Sequence, residues 1–170
     1  LRLMENFLQK YPSIDAVWTG DDDVLLGALK AYTESGRKDI ATRCYWEANR
    51  LNPNLPKACY QLGQLLIGGP FDAAARMLQA RSKALVDLQT KALQLHRGQG
   101  NPDTVFDCAR LARQLGRLRE SRVWCEYLLA GDPGHPEGKQ LLAIVANEWR
   151  EDLPWVLPDA NPAASVDGSR

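Results

Sequence analysis

Apolar residues recur every three or four positions along most of the chain, and Gly and Pro cut the runs at regular points. That period lays an apolar stripe along a helix, whereas strand-like character is confined to one short place. The clearest stretch is Asp39–Leu66, DIATRCYWEANRLNPNLPKACYQLGQLL. Ala41, Tyr45, Ala48 and Leu51 share one face, Asn52-Pro53 interrupts, and Tyr60, Leu62, Gly63 and Leu66 open a second helix. Small residues beside large ones at helical spacing predict two helices that pack closely, the small positions as holes and the large ones as knobs.

The same pattern returns along the chain. Leu25, Ala28, Leu29 and Tyr32 are matched, at one constant offset, by Cys59, Leu62, Gly63 and Leu66. The turn Gly68-Gly69-Pro70 reads as one residue shorter than the turn at Gly36, with Ala74 and Leu78 resuming the pattern. Met77–His96 favours a long helix or a divergent unit and ends at the loop Gly98–Pro102. A further copy has Val105, Cys108, Ala109 and Ala112, then the turn at Gly116, then Ser121, Cys125 and Leu128. Pro136 opens a last helix, with Leu142, Ala143 and Ala146 continuing the pattern as a cap. Gly36 and Gly116 stand further apart than two such offsets and closer than three, so the array carries an insertion.

These positions resemble the tetratricopeptide repeat, a 34-residue helix-turn-helix unit that stacks on its neighbours. The resemblance implies a mainly α fold, an α-solenoid of antiparallel hairpins spanning 22–150. Its parts are hairpins 22–55 and 56–80, a divergent 81–101, a hairpin 102–135 and a capping helix 136–150. Residues 1–21 precede it, and 151–170 form a proline-rich acidic tail, partly disordered. In such repeats the first helix of each hairpin lines a concave groove. The resemblance therefore places Lys57, Tyr60, Gln61 and Gln64, with Phe106, Arg110 and Arg113, on a partner-binding groove. The expected function is a non-enzymatic scaffold for a peptide or partner protein. The carboxylate clamp of repeats that bind chaperone C-termini is not matched, since Leu26, Lys30, Gln61, Asp103 and Asp107 occupy its positions.

The first forty residues read differently. Leu1–Tyr11 is a short amphipathic helix, Ile14–Thr19 a strand candidate rich in β-branched and aromatic residues, and Asp21-Asp22-Asp23 stands where a helix begins. The run YPSIDAVWTGDDDVLLGALKAYTESGRKDI resembles a piece of a periplasmic sugar-binding protein of the bacterial transport type. That resemblance implies a short βα segment and puts Asp22 at a position that bonds sugar hydroxyls. The rest of a two-lobed cleft is missing, so the alternative is a truncated sugar-binding segment fused to the repeats. A small-molecule sugar is the less expected partner.

Composition narrows the classes without naming a ligand. The chain is 45% hydrophobic and 25% charged, as folded proteins are, with no net charge. Residues 1–40 carry 5 basic against 7 acidic side chains, 41–150 carry 15 against 10, and 151–170 carry 1 against 4. An excess of five across so long a central stretch is too mild for a nucleic-acid surface, so none is expected. Arg110, Arg113, Arg117, Arg119 and Arg122 form a basic cluster that suits an acidic peptide, or simply a solvated face with Glu120 and Glu126 as local partners.

No run is long and apolar enough to span a bilayer, and no phosphate loop, triad or metal spacing is present, so no catalysis, cofactor or metal is expected. The two compartments, cytoplasmic and periplasmic, stay open. Cys44, Cys59, Cys108 and Cys125 make no C-x-x-C pair and sit in apolar helical contexts, where a thiol packs as a small hydrophobe.

Overall fold

The computed structural model describes residues 22–148 and, ahead of them, Asn6, Gln9 and Lys10, which are helical; the side chains of residues 22–26 and 28 fall outside the description. The expected strand at Ile14–Thr19, most of the expected helix Leu1–Tyr11 and the tail 151–170 lie outside the described residues. Within them the fold is mainly α, 81% helical, with seven helices and no strand. The helices are α1 (Asp22–Glu34), α2 (Lys38–Leu51), α3 (Pro56–Leu66), α4 (Asp72–His96), α5 (Pro102–Gln114), α6 (Leu118–Gly131) and α7 (Pro136–Glu148).

Two sets of three helices repeat one plan. Their first residues are 22 and 102, 38 and 118, and 56 and 136, each pair 80 apart, while the first and third helices of each set begin 34 apart. The joints are matched as well. Gly36 and Gly116 adopt φ of 81° and 77°, a left-handed conformation in which a Cβ would be strained. There the Arg37 and Arg117 amides donate back to the Tyr32 and Ala112 carbonyls at 3.0 and 2.9 Å, closing the last turns of α1 and α5. At the second joint the Asn52 and Asp132 side chains each accept, at 3.0 Å, from the amide two residues on, and Pro56 and Pro136 then start the next helix. Arg37 and Arg117 even share their φ of −87°.

The described chain divides into two compact units between Gln79 and Ala80, a boundary that falls inside the single 25-residue helix α4. The sequence leaves open whether this region is a divergent unit or one long helix; it is one helix from Asp72 to His96.

In the first unit α1 packs on α2 and α2 on α3. Leu29, Tyr32, Ala41, Tyr45, Leu62 and Leu78 are buried in its core. Burial pushes the Tyr45 phenol up to about 12. Here α3 and α4 come close enough that a Cβ built on Gly63 would lie 3.1 Å from the Ala75 carbonyl oxygen and 3.0 Å from Gln79 Cγ. The small residue opposite is thus Ala75, fully buried, and not Ala74, which is only half-buried. Ala75 follows Ala41 at the same offset by which Gly63 follows Leu29, whereas the fully buried Leu78 follows Tyr45 at one residue less, as the shortened turn implies.

The far end of the expected α2 stripe departs as well. Ala48 is half-buried and Leu51 is 73% exposed, while Asn49 is the fully buried residue. Asn49 Nδ2 donates to Cys59 Sγ at 2.8 Å, and Cys59 Sγ reaches the Pro53 carbonyl at 3.6 Å, so a polar contact ties α2 to the start of α3.

In the second unit α5, α6 and α7 pack on one another around Ala109, Leu118, Cys125, Leu141 and Val145. Ser121 is fully buried and donates to the Ala109 carbonyl at 2.7 Å across the α5–α6 joint. Arg81, also buried, donates from Nη1 to the Leu115 carbonyl at 3.2 Å, meeting the negative end of α5. The inward face of α7 is Gly138, Leu141 and Val145; Leu142 packs partly, while Ala143 and Ala146 are exposed. Among the described residues this helix packs on α5 and α6, and its stripe turns toward them.

All four cysteines are free thiols; Cys59, Cys108 and Cys125 are buried and Cys44 is half-buried. Burial pushes the Cys108 and Cys125 thiols up to about 11, which leaves little nucleophilic thiolate near neutrality.

Candidate partner-binding surface

The residues assigned to a groove fall in two groups, one on α3 of the first unit and one on α5 of the second. On α3 the buried face is Ala58, Cys59, Leu62, Gly63 and Leu66. Lys57, Tyr60 and Gln64 are exposed on the other side, at spacings of three and four, with Gln61 half-buried at their edge. Tyr60 remains 49% exposed, and Ile67, just past the helix end, is 52% exposed and extends the stripe. This face therefore presents an aromatic ring, an aliphatic side chain, two amides and one ammonium to solvent.

On α5 the corresponding stripe is engaged within the protein. Phe106 packs against the Ala109–Val145 cluster and meets the His135 ring at a centroid distance of 5.5 Å. Arg113 makes a two-pronged contact with Glu148 of α7, Nη2 to Oε1 at 2.6 Å and Nε to Oε2 at 3.0 Å. Arg110 Nη2 lies 3.2 Å from Asp107, whose other oxygen is 2.7 Å from the Lys91 ammonium. The hydrogen bond from Lys91 is the main reason the Asp107 carboxyl is held below its ordinary 3.8. Glu148 is likewise held low by Arg113.

Two more arginines of the basic cluster are paired too. Arg117 Nη2 lies 2.7 Å from Glu120 Oε2, a contact of opposite charges not aligned as a hydrogen bond, and Arg122 donates to Glu126 at 2.7 Å. Glu120 Oε1 also accepts from the Trp124 indole at 3.3 Å. Local carboxylates thus hold Arg110, Arg113, Arg117 and Arg122, so an acidic partner would have to displace them.

Sequence reasoning missed Ile67 because it lies beyond the helix it extends. It missed His135 for another reason: the imidazole Nδ1 accepts from the Gly138 amide at 3.1 Å and so caps α7. The signal was present, in that a polar ring stood directly before Pro136, but only the fold puts Phe106 beside it. Asp22 is the first residue of α1, and its side chain is outside the described residues. Among the described residues, no His, Cys, Asp or Glu side chains gather in a set of three or more able to hold a metal ion. Nor is any described helix long and apolar enough to cross a membrane. No protein-family model, curated protein or solved structure matches the chain.

Proposed function

We propose that this chain is a non-enzymatic interaction scaffold, an α-solenoid of tetratricopeptide type that engages a peptide or partner surface through the outward stripes of its first-type helices. The observation that carries this reading is the exposed stripe Lys57–Tyr60–Gln64–Ile67 on a helix whose opposite face is wholly buried. The 34-residue spacing between α1 and α3 and between α5 and α7 supports the repeat class. On chemistry, α3 is the binding helix: Tyr60 offers a flat apolar platform, and Gln61 and Gln64 offer both donors and acceptors to an extended backbone. Arg113 serves first to tie α5 to α7, while Arg110 pairs with Asp107 of its own helix.

Panning a displayed peptide library against the full chain tests this. Selected peptides are expected to lose at least tenfold in affinity on Tyr60→Ala combined with Gln64→Ala, and to tolerate Arg113→Gln far better. Peptides that bind the Tyr60 variant as well as the parent would remove α3 from the site. In this reading residues 12–40 supply the first helix of the array and no sugar site. Heat of binding in calorimetric titrations with pentoses or hexoses would reverse that.

A further inference from the structure

The outer face of α6 carries a feature its counterpart lacks. Arg119, Arg122, Val123, Glu126, Tyr127 and Ala130 fall within one arc of that helix, at spacings of three and four. Val123 and Tyr127, one turn apart, are 60% and 64% exposed. Tyr127 is held in place rather than loose. Its ring meets Trp124 edge-on at 6.3 Å and 84°, and the Trp124 indole is tied to Glu120. The matching positions on α2 are Arg43 and Glu47, so the same face of the first set carries charge where α6 carries Val and Tyr.

The charges around this patch are ordered along the helix. Arg119 and Arg122 lie toward its N-terminal end and Glu126 toward its C-terminal end, with Val123 between. Such a patch complements itself under a two-fold axis. When two α6 helices cross antiparallel near Trp124–Cys125, each Arg122 approaches Glu126 and Tyr127 of the other copy, and each Val123 packs on the same pair. A uniformly charged partner would meet one matched and one opposed end. We propose that the outer face of α6 is a self-association surface, occupied by α6 of a second copy of this chain. It lies on the second-type helix and is separate from the stripe assigned to partner binding.

Burial of Val123 and Tyr127 supplies the attraction. Because the Arg122–Glu126 contact already exists within each helix, exchanging it across the axis fixes orientation more than strength. A single helix crossing covers less surface than standard interfaces, so the association is expected to be weak.

Sedimentation velocity on the full chain, from about 5 to about 500 µM, covers the range of weak association. The weight-average mass is expected to rise from 19.0 kDa toward twice that. Val123→Ser with Tyr127→Ser should hold it at the monomer value throughout. Arg122→Glu alone and Glu126→Arg alone should each weaken association at least tenfold, and the two together should restore it to within about threefold. All are solvent-facing changes whose helicity is checked by circular dichroism. A parent chain that stays at 19.0 kDa overturns the proposal. So does a dimer indifferent to Val123 and Tyr127, or a double reversal that fails to restore association.

Discussion

Helices α1–α3 and α5–α7 have the same plan and different chemistry. At equivalent positions the first set has Ala41 where the second has Ser121, and each is fully buried. The carbonyl that Ser121 engages belongs to Ala109; its equivalent, Leu29, instead accepts from Thr33 of its own helix at 3.1 Å. Asn49 is buried and polar in the first set, while its equivalent Leu129 is half-buried and apolar. The third helices differ most. On α3, Gly63 lets α4 approach, whereas the equivalent Ala143 on α7 is exposed. The common plan is held by turns and small residues, and it tolerates different solutions at each contact. The difference extends to the surface: Tyr60, Gln64 and Ile67 of the α3 stripe are exposed, while the α5 stripe is taken up by Phe106–His135 and Arg113–Glu148.

The largest expected effect separates the two third helices. Gly63→Leu should destabilise the chain by about 3 kcal/mol, because the backbone carbonyl of Ala75 is in the way and cannot swing aside. Ala143→Leu should stay within about 0.5 kcal/mol. Urea unfolding of both variants measures the contrast, and equal losses would mean that α7 is covered like α3. Next comes the cap on α7. His135→Ala removes an acceptor for the Gly138 amide and the ring against Phe106, and should cost about 1–2 kcal/mol. The equivalent Leu55 makes no side-chain cap, so Leu55→Ala loses packing alone.

A smaller effect is expected at the α5–α6 joint. Ser121→Ala keeps the small volume and gives up one buried hydrogen bond, for a loss of about 1 kcal/mol in the same unfolding assay.

Acid should act on the second set through Asp107, whose equivalent is Gly27. The folded carboxyl is held below its ordinary 3.8, chiefly by Lys91. Its contribution is therefore complete above that value and is lost as pH falls through the folded one. Asp107→Asn should flatten this part of the acid limb in a melting-temperature series, and an unchanged limb would assign it to other groups. Thiol labelling gives the gentlest test. At pH 8 Cys108 and Cys125 should react far more slowly with a disulfide reagent than after denaturation, since both are fully buried and burial pushes their thiols up to about 11.

Much of this was legible in the chain itself. Gly36 and Gly116 mark the tight reversals, and Pro53 and Pro133 stand just past helix ends. Pro56, Pro102 and Pro136 open helices α3, α5 and α7. These signals act within a few residues of themselves, through φ, a missing amide or a side-chain cap, so local sequence suffices to place them. The exposure of the residues that the repeat resemblance put on a groove was legible only in part. Tyr60 and Gln64 face outward on α3, but nothing local tells Arg113 that Glu148 lies within reach, 35 residues away.

The recurrence at Asp39–Leu66 and its later copies thus determined, from sequence alone, where helices start, stop and turn, and that small residues lie between them. Only tertiary structure decided which small residue meets which neighbour: Ala75 over Ala74 against Gly63, Asn49 over Ala48 against Cys59, and Leu141 with Val145 in place of Ala143 with Ala146. A helical stripe is broad enough to admit a rotation of one residue, and the choice is made by the packing partner, which the stripe does not encode.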